Sequence, residues 1–141
     1  QHAQGRLTAR ERIATLCDAG SFREIGALAG GNHPGGEPAL AADAMVGGTG
    51  RMDGRSVVVI AEDFTVKGGS IGHPNAANRA RLVRIALEQG LPLFIMLEGA
   101  GERAGNGLER YPNTPNDLHL VSDLKGRLPD RWWQRSSRSF V

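Results

Sequence analysis

The sequence predicts an α/β fold built on a parallel strand pair, and three observations predict it. Ser56 to Ala61 is an apolar, β-branched run, the mark of a buried strand. His73 to Gln89 repeats apolar residues at helical spacing, and Leu93 to Leu97 is a second short apolar run opened by Leu91-Pro92. Strand, helix and strand in that order describe a right-handed crossover between parallel neighbours.

The elements follow in order. Thr8-Ala9-Arg10-Glu11 is a capping box, with the Thr8 hydroxyl and the Glu11 carboxylate each serving the other's N–H. Ile13, Leu16 and Cys17 then share one helical face, and Gly20 is expected to close the helix. Phe22 to Ile25 reads as a short strand and Ala29 to Pro38 as a mobile loop, with His33 a solvated side chain in it. Met45 to Met52 is a glycine-broken strand. Asp53-Gly54 is a type I′ turn signal, so this strand pairs antiparallel with Ser56 to Ala61.

After Glu62 and Asp63 comes Phe64-Thr65-Val66-Lys67, then Gly68-Gly69-Ser70. In the helix from His73, Pro74 suits the first turn. Ala77, Ala80, Leu82, Val83, Ile85, Ala86 and Leu87 give the apolar face, Arg79, Arg81, Arg84 and Glu88 fall mostly opposite, and Gly90 is the stop. A further helix is expected over Asn116 to Lys125, ending at Gly126, with Leu128-Pro129 leading into another strand.

Composition narrows the function classes. The length of 141 residues suits one domain, and twenty glycines imply many turns and short elements. No apolar run is long enough to span a membrane. The chain opens on Gln1, without a visible signal peptide, and a native start is expected upstream. Cys17 is the single cysteine, expected in the core, and fits a reducing, cytoplasmic compartment. Of 17 Lys and Arg, three lie in residues 131–141, which leaves 14 against 15 Asp and Glu in the body. That body has no basic surplus to meet a phosphate backbone, so no nucleic-acid partner is expected.

Two glycine turns could carry chemistry. Gly68-Gly69-Ser70, between a strand and a helix, can bring backbone N–H groups to an anionic or carbonyl ligand, or be a plain tight turn. Glu98-Gly99-Ala100-Gly101-Glu102-Arg103 follows the second strand and imitates a dinucleotide fingerprint. The context fails, because Asn106 to Pro115 holds Pro112 and Pro115 and no helical period. His73 and His119 lack a triad partner, and four histidines with one cysteine give no zinc spacing.

A family resemblance joins these features. Leu7 to Ile25, L-T-A-R-E-R-I-A-T-L-C-D-A-G-S-F-R-E-I, and Asp63 to Gly72, D-F-T-V-K-G-G-S-I-G, resemble two segments of biotin-dependent acyl-CoA carboxyltransferase subunits of the propionyl-CoA carboxylase β type. The resemblance covers roughly Gln1 to Pro129. It implies a partial crotonase-like unit of the carboxyltransferase N-terminal domain. E-G-A-G-E-R sits where these enzymes have D-S-G-G-A-R, with Glu98, Gly101 and Arg103 on the Asp, second Gly and Arg, while Ala100 and Glu102 depart.

The implied roles are an oxyanion turn at Ala100 and Gly101 and substrate binding by Gly68, Gly69, Ser70, Gly99 and Arg103. Arg103 and Arg110 could meet CoA phosphates, or be solvated surface groups. No metal is implied. The implied reaction takes a proton from the acyl α-carbon of propionyl-CoA or acetyl-CoA and moves CO2 there from carboxybiotin. The implied partners are a biotin carboxylase and biotin carrier protein or domain, and further copies of the chain. Two other readings stay open: a catalytically dead remnant that binds CoA or partner subunits only, and a crotonase-fold acyl-CoA hydratase or isomerase.

After Pro129 the resemblance stops. Asp130 to Val141, D-R-W-W-Q-R-S-S-R-S-F-V, holds both tryptophans and fits no strand or helix period. One GC-rich codon choice for Asp130 to Ser137, GAC-CGG-TGG-TGG-CAG-CGG-TCC-TCG, read from the third base, translates as Pro-Val-Val-Ala-Ala-Val-Leu, an apolar strand. Residues 130–141 are therefore expected to be an out-of-frame, disordered tail, which leaves the chain a truncated and inactive piece when alone.

Overall fold

The computed structural model describes residues 1–29, 42–101 and 103. Its elements are helix α1 (Ala9–Leu16), strands β1 (Arg23–Glu24), β2 (Met45–Met52) and β3 (Arg55–Glu62), helix α2 (His73–Gln89) and strand β4 (Leu93–Met96). The strands form one sheet in the order β1-β2-β3-β4.

The sheet grows from the hairpin. Asp53 and Gly54 both adopt positive φ, 49° and 74°, as a type I′ turn requires. The turn fixes the register from Met52↔Arg55 to Met45↔Glu62. β1 adds antiparallel to β2 through Arg23↔Thr49, and β4 adds parallel to β3 from Val58↔Leu93 to Ala61↔Met96. Helix α2 is the crossover between the parallel strands, as the strand-helix-strand pattern predicts.

β3 is apolar on both faces because a helix covers each. Val57, Val59 and Ala61 pack with Ala9, Ile13 and Cys17 on the α1 side. Val58 and Ile60 pack with Met45, Leu82 and Ala86 on the α2 side. A period of two along the strand thus divides one apolar run between two cores. Val58, Val59, Ile60 and Ala61 are 0% exposed. Burial pushes the Cys17 thiol up, and neighbouring Asp18 adds to the shift. No helix among the described residues is long and apolar enough to cross a membrane.

The capping box forms as expected: Glu11 N–H donates to Thr8 Oγ1, and Thr8 N–H to Glu11 Oε2 at 2.8 Å. Two expectations need correction. Helix α1 ends at Leu16, not at Gly20, because Cys17 turns extended and Asp18 is drawn to the hairpin. Asp18 N–H donates to Arg51 O, and its carboxylate accepts Asp53 N–H and Gly54 N–H. Gly20 serves a later turn, at φ 68°. The second correction is Arg79, which is buried at 7% exposure although the sequence reading placed it mostly on the solvent side. Helix α2 otherwise runs as expected and stops at Gly90, φ 63°. The helix expected at 116–125, the strand expected after Pro129 and the tail 130–141 lie outside the described residues, as do His33, Arg110 and His119.

Candidate functional site

The site lies where β3 and β4 end side by side. Both strands are parallel, so their carboxyl ends open on the same edge of the sheet. Open α/β sheets bind ligands outside such ends, because the connecting loops diverge there.

From β3 the chain passes Asp63, whose carboxylate accepts Thr65 N–H at 3.0 Å and Thr65 Oγ1–H at 2.6 Å. A single tight turn follows over Lys67–Gly69, with Lys67, Gly68 and Gly69 at φ 47°, 64° and 67°. Ser70 Oγ donates to Lys67 O, and Asn75 Nδ2 donates to Ser70 O. Asn75 Oδ1 accepts Gly72 N–H and so starts α2.

From β4 the second glycine turn folds against the first. Ala100 N–H donates to Gly68 O at 3.0 Å, Ile71 N–H to Gly101 O at 2.8 Å, and Arg103 N–H to Ile71 O at 2.9 Å. The glycines permit the contact. A Cβ on Gly99 would sit 2.5 Å from Gly69 O, and one on Gly69 would sit 3.0 Å from Gly99 Cα. The structure therefore brings together Gly68, Gly69, Ser70, Gly99, Ala100, Gly101 and Arg103.

Their individual settings differ. Ala100 N–H is already engaged by Gly68 O, whereas Gly101 N–H has no hydrogen bond among the described residues. Gly101 is exposed, at φ 92°. Arg103 turns inward: Nη1 and Nη2 hold Asp43, and Nε and Nη2 hold Ser70 Oγ and Ser70 O. His73 begins α2 and borders a separate open cleft with Gly26, Pro74, Asn78 and Arg81.

Sequence reasoning missed the charges beneath the turns. Buried Glu62 joins Arg79 at 2.6 Å and accepts Glu98 N–H at 2.7 Å. Arg12 Nη2 donates to Glu62 O and lies 2.7 Å from Glu98 Oε2. Asp43, 1% exposed, meets Arg103. One of these had a visible signal. Arg79, Leu82, Val83 and Ala86 follow the i, i+3, i+4, i+7 spacing of one stripe, so the period itself puts Arg79 with the core.

Comparison with known proteins shows the family and the fold. Residues 1–114 match the carboxyl transferase domain family. A propionyl-CoA carboxylase carboxyltransferase subunit of Haloferax mediterranei is 40% identical over 132 residues, covering 92% of this chain and 26% of its own. The methylmalonyl-CoA decarboxylase subunit alpha of Veillonella parvula is 40% identical over 125 residues, covering 81% and 25%. The solved transcarboxylase 12S, with methylmalonyl-CoA bound, superposes with a TM-score of 0.73 at 36% identity, over 77% of this chain and 22% of that one. The chain spans about a quarter of the length of the curated relatives it matches. It belongs to the carboxyl transferase domain family, and its α/β architecture is the partial crotonase-like unit that the motifs implied.

Proposed function

We propose that this carboxyl transferase family member forms the acyl-CoA-facing part of a biotin-dependent carboxyltransferase acting on a short acyl-CoA, propionyl-CoA or acetyl-CoA. One observation carries the reading. Two glycine turns converge at the carboxyl ends of parallel strands, and Gly101, an exposed residue there, has no hydrogen-bond partner for its N–H among the described residues.

The chemistry needs such a donor. Removing a proton from the acyl α-carbon places negative charge on the thioester oxygen, and a fixed backbone N–H stabilises charge that develops in place. Gly101 N–H fits this role. Ala100 N–H instead holds the turn to Gly68, so it positions its neighbour. Gly69 and Gly99, without side chains, keep the two backbones in contact. Carboxybiotin, brought by a partner protein or domain, would supply the CO2.

The proposed partners are a biotin carboxylase and biotin carrier, and further copies of the chain. Relatives named as subunits, and a structural neighbour described as a hexamer assembly, support this.

The test is a titration of the ¹⁵N-labelled chain with CoA and propionyl-CoA. The Gly101 amide should shift most, with Gly99 and Ser70 following. Shifts confined to the arginines of residues 131–141, and abolished by about 0.5 M salt through screening, would mean phosphate attraction only and would overturn the reading.

A further inference from the structure

Glu62 is a buried acid that the proposed chemistry leaves unused. It closes β3 with its side chain 6% exposed, and its carboxylate is divided between two partners. Oε1 lies 2.6 Å from Arg79 Nη2, while Oε2 accepts Glu98 N–H at 2.7 Å. One oxygen thus faces α2 and the other faces the second glycine turn.

Stability alone does not call for this arrangement. Taking a carboxylate and a guanidinium out of water is costly, and an apolar pair of similar volume often serves as well. An apolar side chain cannot accept a hydrogen bond from the turn. A carboxylate can, and such a charge-assisted bond is shorter and stronger than a neutral one.

The geometry shows what that bond controls. Glu98 N–H is the last backbone donor before Gly99, and a Cβ on Gly99 would lie 2.8 Å from Glu62 Oε2. The carboxylate therefore bonds the turn at Glu98 and occupies the space that a side chain at Gly99 would need. Beyond it, Ala100 N–H reaches Gly68 O and Gly101 O receives Ile71 N–H. Arg12 fastens the same place from outside, through Glu62 O and the Glu98 carboxylate.

We propose that Glu62 is a positioning residue for the Gly99–Gly101 turn: held by Arg79, its carboxylate accepts Glu98 N–H and so sets the direction of Gly101 N–H. The functional meaning rests on the acyl-CoA reading of that turn, but the positioning does not.

Two double variants of the full chain test it, Glu62→Gln with Arg79→Met and Glu62→Ala with Arg79→Met. Both remove the buried ion pair, and only the first keeps an acceptor for Glu98 N–H. The readout is hydrogen exchange at the Ala100, Ile71 and Arg103 amides, whose bonds do not touch Glu62. The alanine variant should exchange about tenfold faster at these amides than the glutamine variant, while hairpin amides match. Its affinity for CoA should fall by a similar factor, with the glutamine variant close to the unsubstituted chain. Equal exchange in the two variants would overturn the proposal. An exchange difference without any CoA response, even in the unsubstituted chain, would retain the positioning and remove the acyl-CoA reading. Should a double variant not fold, the unsubstituted chain decides: slow exchange at Glu98 supports the bond to Glu62, and exchange there as fast as at exposed Gly101 overturns it.

Discussion

Arg103 holds Asp43 through both terminal nitrogens, Nη2 to Oδ1 at 2.9 Å and Nη1 to Oδ2 at 3.3 Å. Asp43 stands in a run of three non-glycine residues at positive φ, with Ala42 at 63°, Asp43 at 20° and Ala44 at 60°. Such backbone persists only where its surroundings hold it. Met45 N–H to Ala42 O and Asp63 N–H to Ala44 O help, but the ion pair is what ties this segment to the glycine turns. Arg103 reaches Ser70 at the same time, so one side chain joins three pieces of chain.

Arg103→Met should therefore be severe. It leaves Asp43, 1% exposed, as a buried charge without its cation. Breaking one side of a buried pair costs about 3–5 kcal/mol, a large share of a domain's stability of about 5–15 kcal/mol. Arg103→Lys should cost less, since it keeps the charge and loses the fork. Asp43→Ala combined with Arg103→Met should recover much of the loss. Urea unfolding measures all three, and an Arg103→Met variant as stable as the unsubstituted chain would dismiss the pair as a structural tie.

Glu11 gives a pH prediction. Its carboxyl is lowered from an ordinary 4.5 to about 2, first by the His2 side chain and then by Thr8 N–H and the Thr8 hydroxyl. The folded value lies below the unfolded one. Its contribution to stability is therefore whole above pH 4.5 and fades as pH falls towards about 2. His2→Ala should move the Glu11 midpoint back up, as read by ¹³C carboxyl shifts. Thr8→Ala should move it likewise and, by removing the cap, cost about 0.5–2 kcal/mol. A Glu11 that titrates near its ordinary value in the unsubstituted chain would contradict the interaction.

The fold was legible where its cause is local. Asp53-Gly54 and the β-branched run after it are enough to place the hairpin and its register. Pro74 and Gly90 bracket α2, since a proline suits the first turn and a glycine accepts the left-handed stop. The glycines of the candidate site stand out in the sequence too: close backbone approach requires Gly69 and Gly99, and positive φ favours glycine at Gly68 and Gly101. What sequence could not show is contact between distant segments. Asp18 leaves the helix for amides at Asp53 and Gly54, and no local signal marks that acceptor. Arg79 is an arginine, and the general tendency of arginine towards water outweighed its own helical period. The period puts Arg79 on the buried stripe, and Glu62, below the second turn, supplies the charge that meets it there.

Asp18 yields the third prediction. Its two oxygens accept Asp53 N–H at 3.0 Å and Gly54 N–H at 2.9 Å, both exposed. Water can replace a lost acceptor there, so Asp18→Ala should cost only about 1–2 kcal/mol. Asp18→Asn keeps one good acceptor and should cost about half as much. The loss should show first as faster exchange at Asp53 and Gly54, ahead of the β2–β3 ladder. If those two amides exchange at the same rate in Asp18→Ala, the side chain does not hold the turn.

Gly99 tests whether the two turns meet. A Cβ there would lie 2.5 Å from Gly69 O and 2.8 Å from Glu62 Oε2, and the first of these is backbone that cannot rotate away. Gly99→Ala should thus force the turns apart at a cost of about 1–3 kcal/mol, as overpacking does. Gly54 supplies the contrast. It has φ 74° and nothing within 4 Å of an added Cβ, so alanine there meets backbone strain and no neighbour. Gly54→Ala should cost about 1–2 kcal/mol for the left-handed conformation. The totals are similar, but the locations differ. Gly99→Ala should shift the Ala100 and Ile71 amides and weaken the response of Gly101 to CoA. Gly54→Ala should leave all three unchanged. A Gly99→Ala chain with unmoved Ala100 and Ile71 amides would mean that the turns do not touch, and the shared site at the ends of β3 and β4 would fail with them.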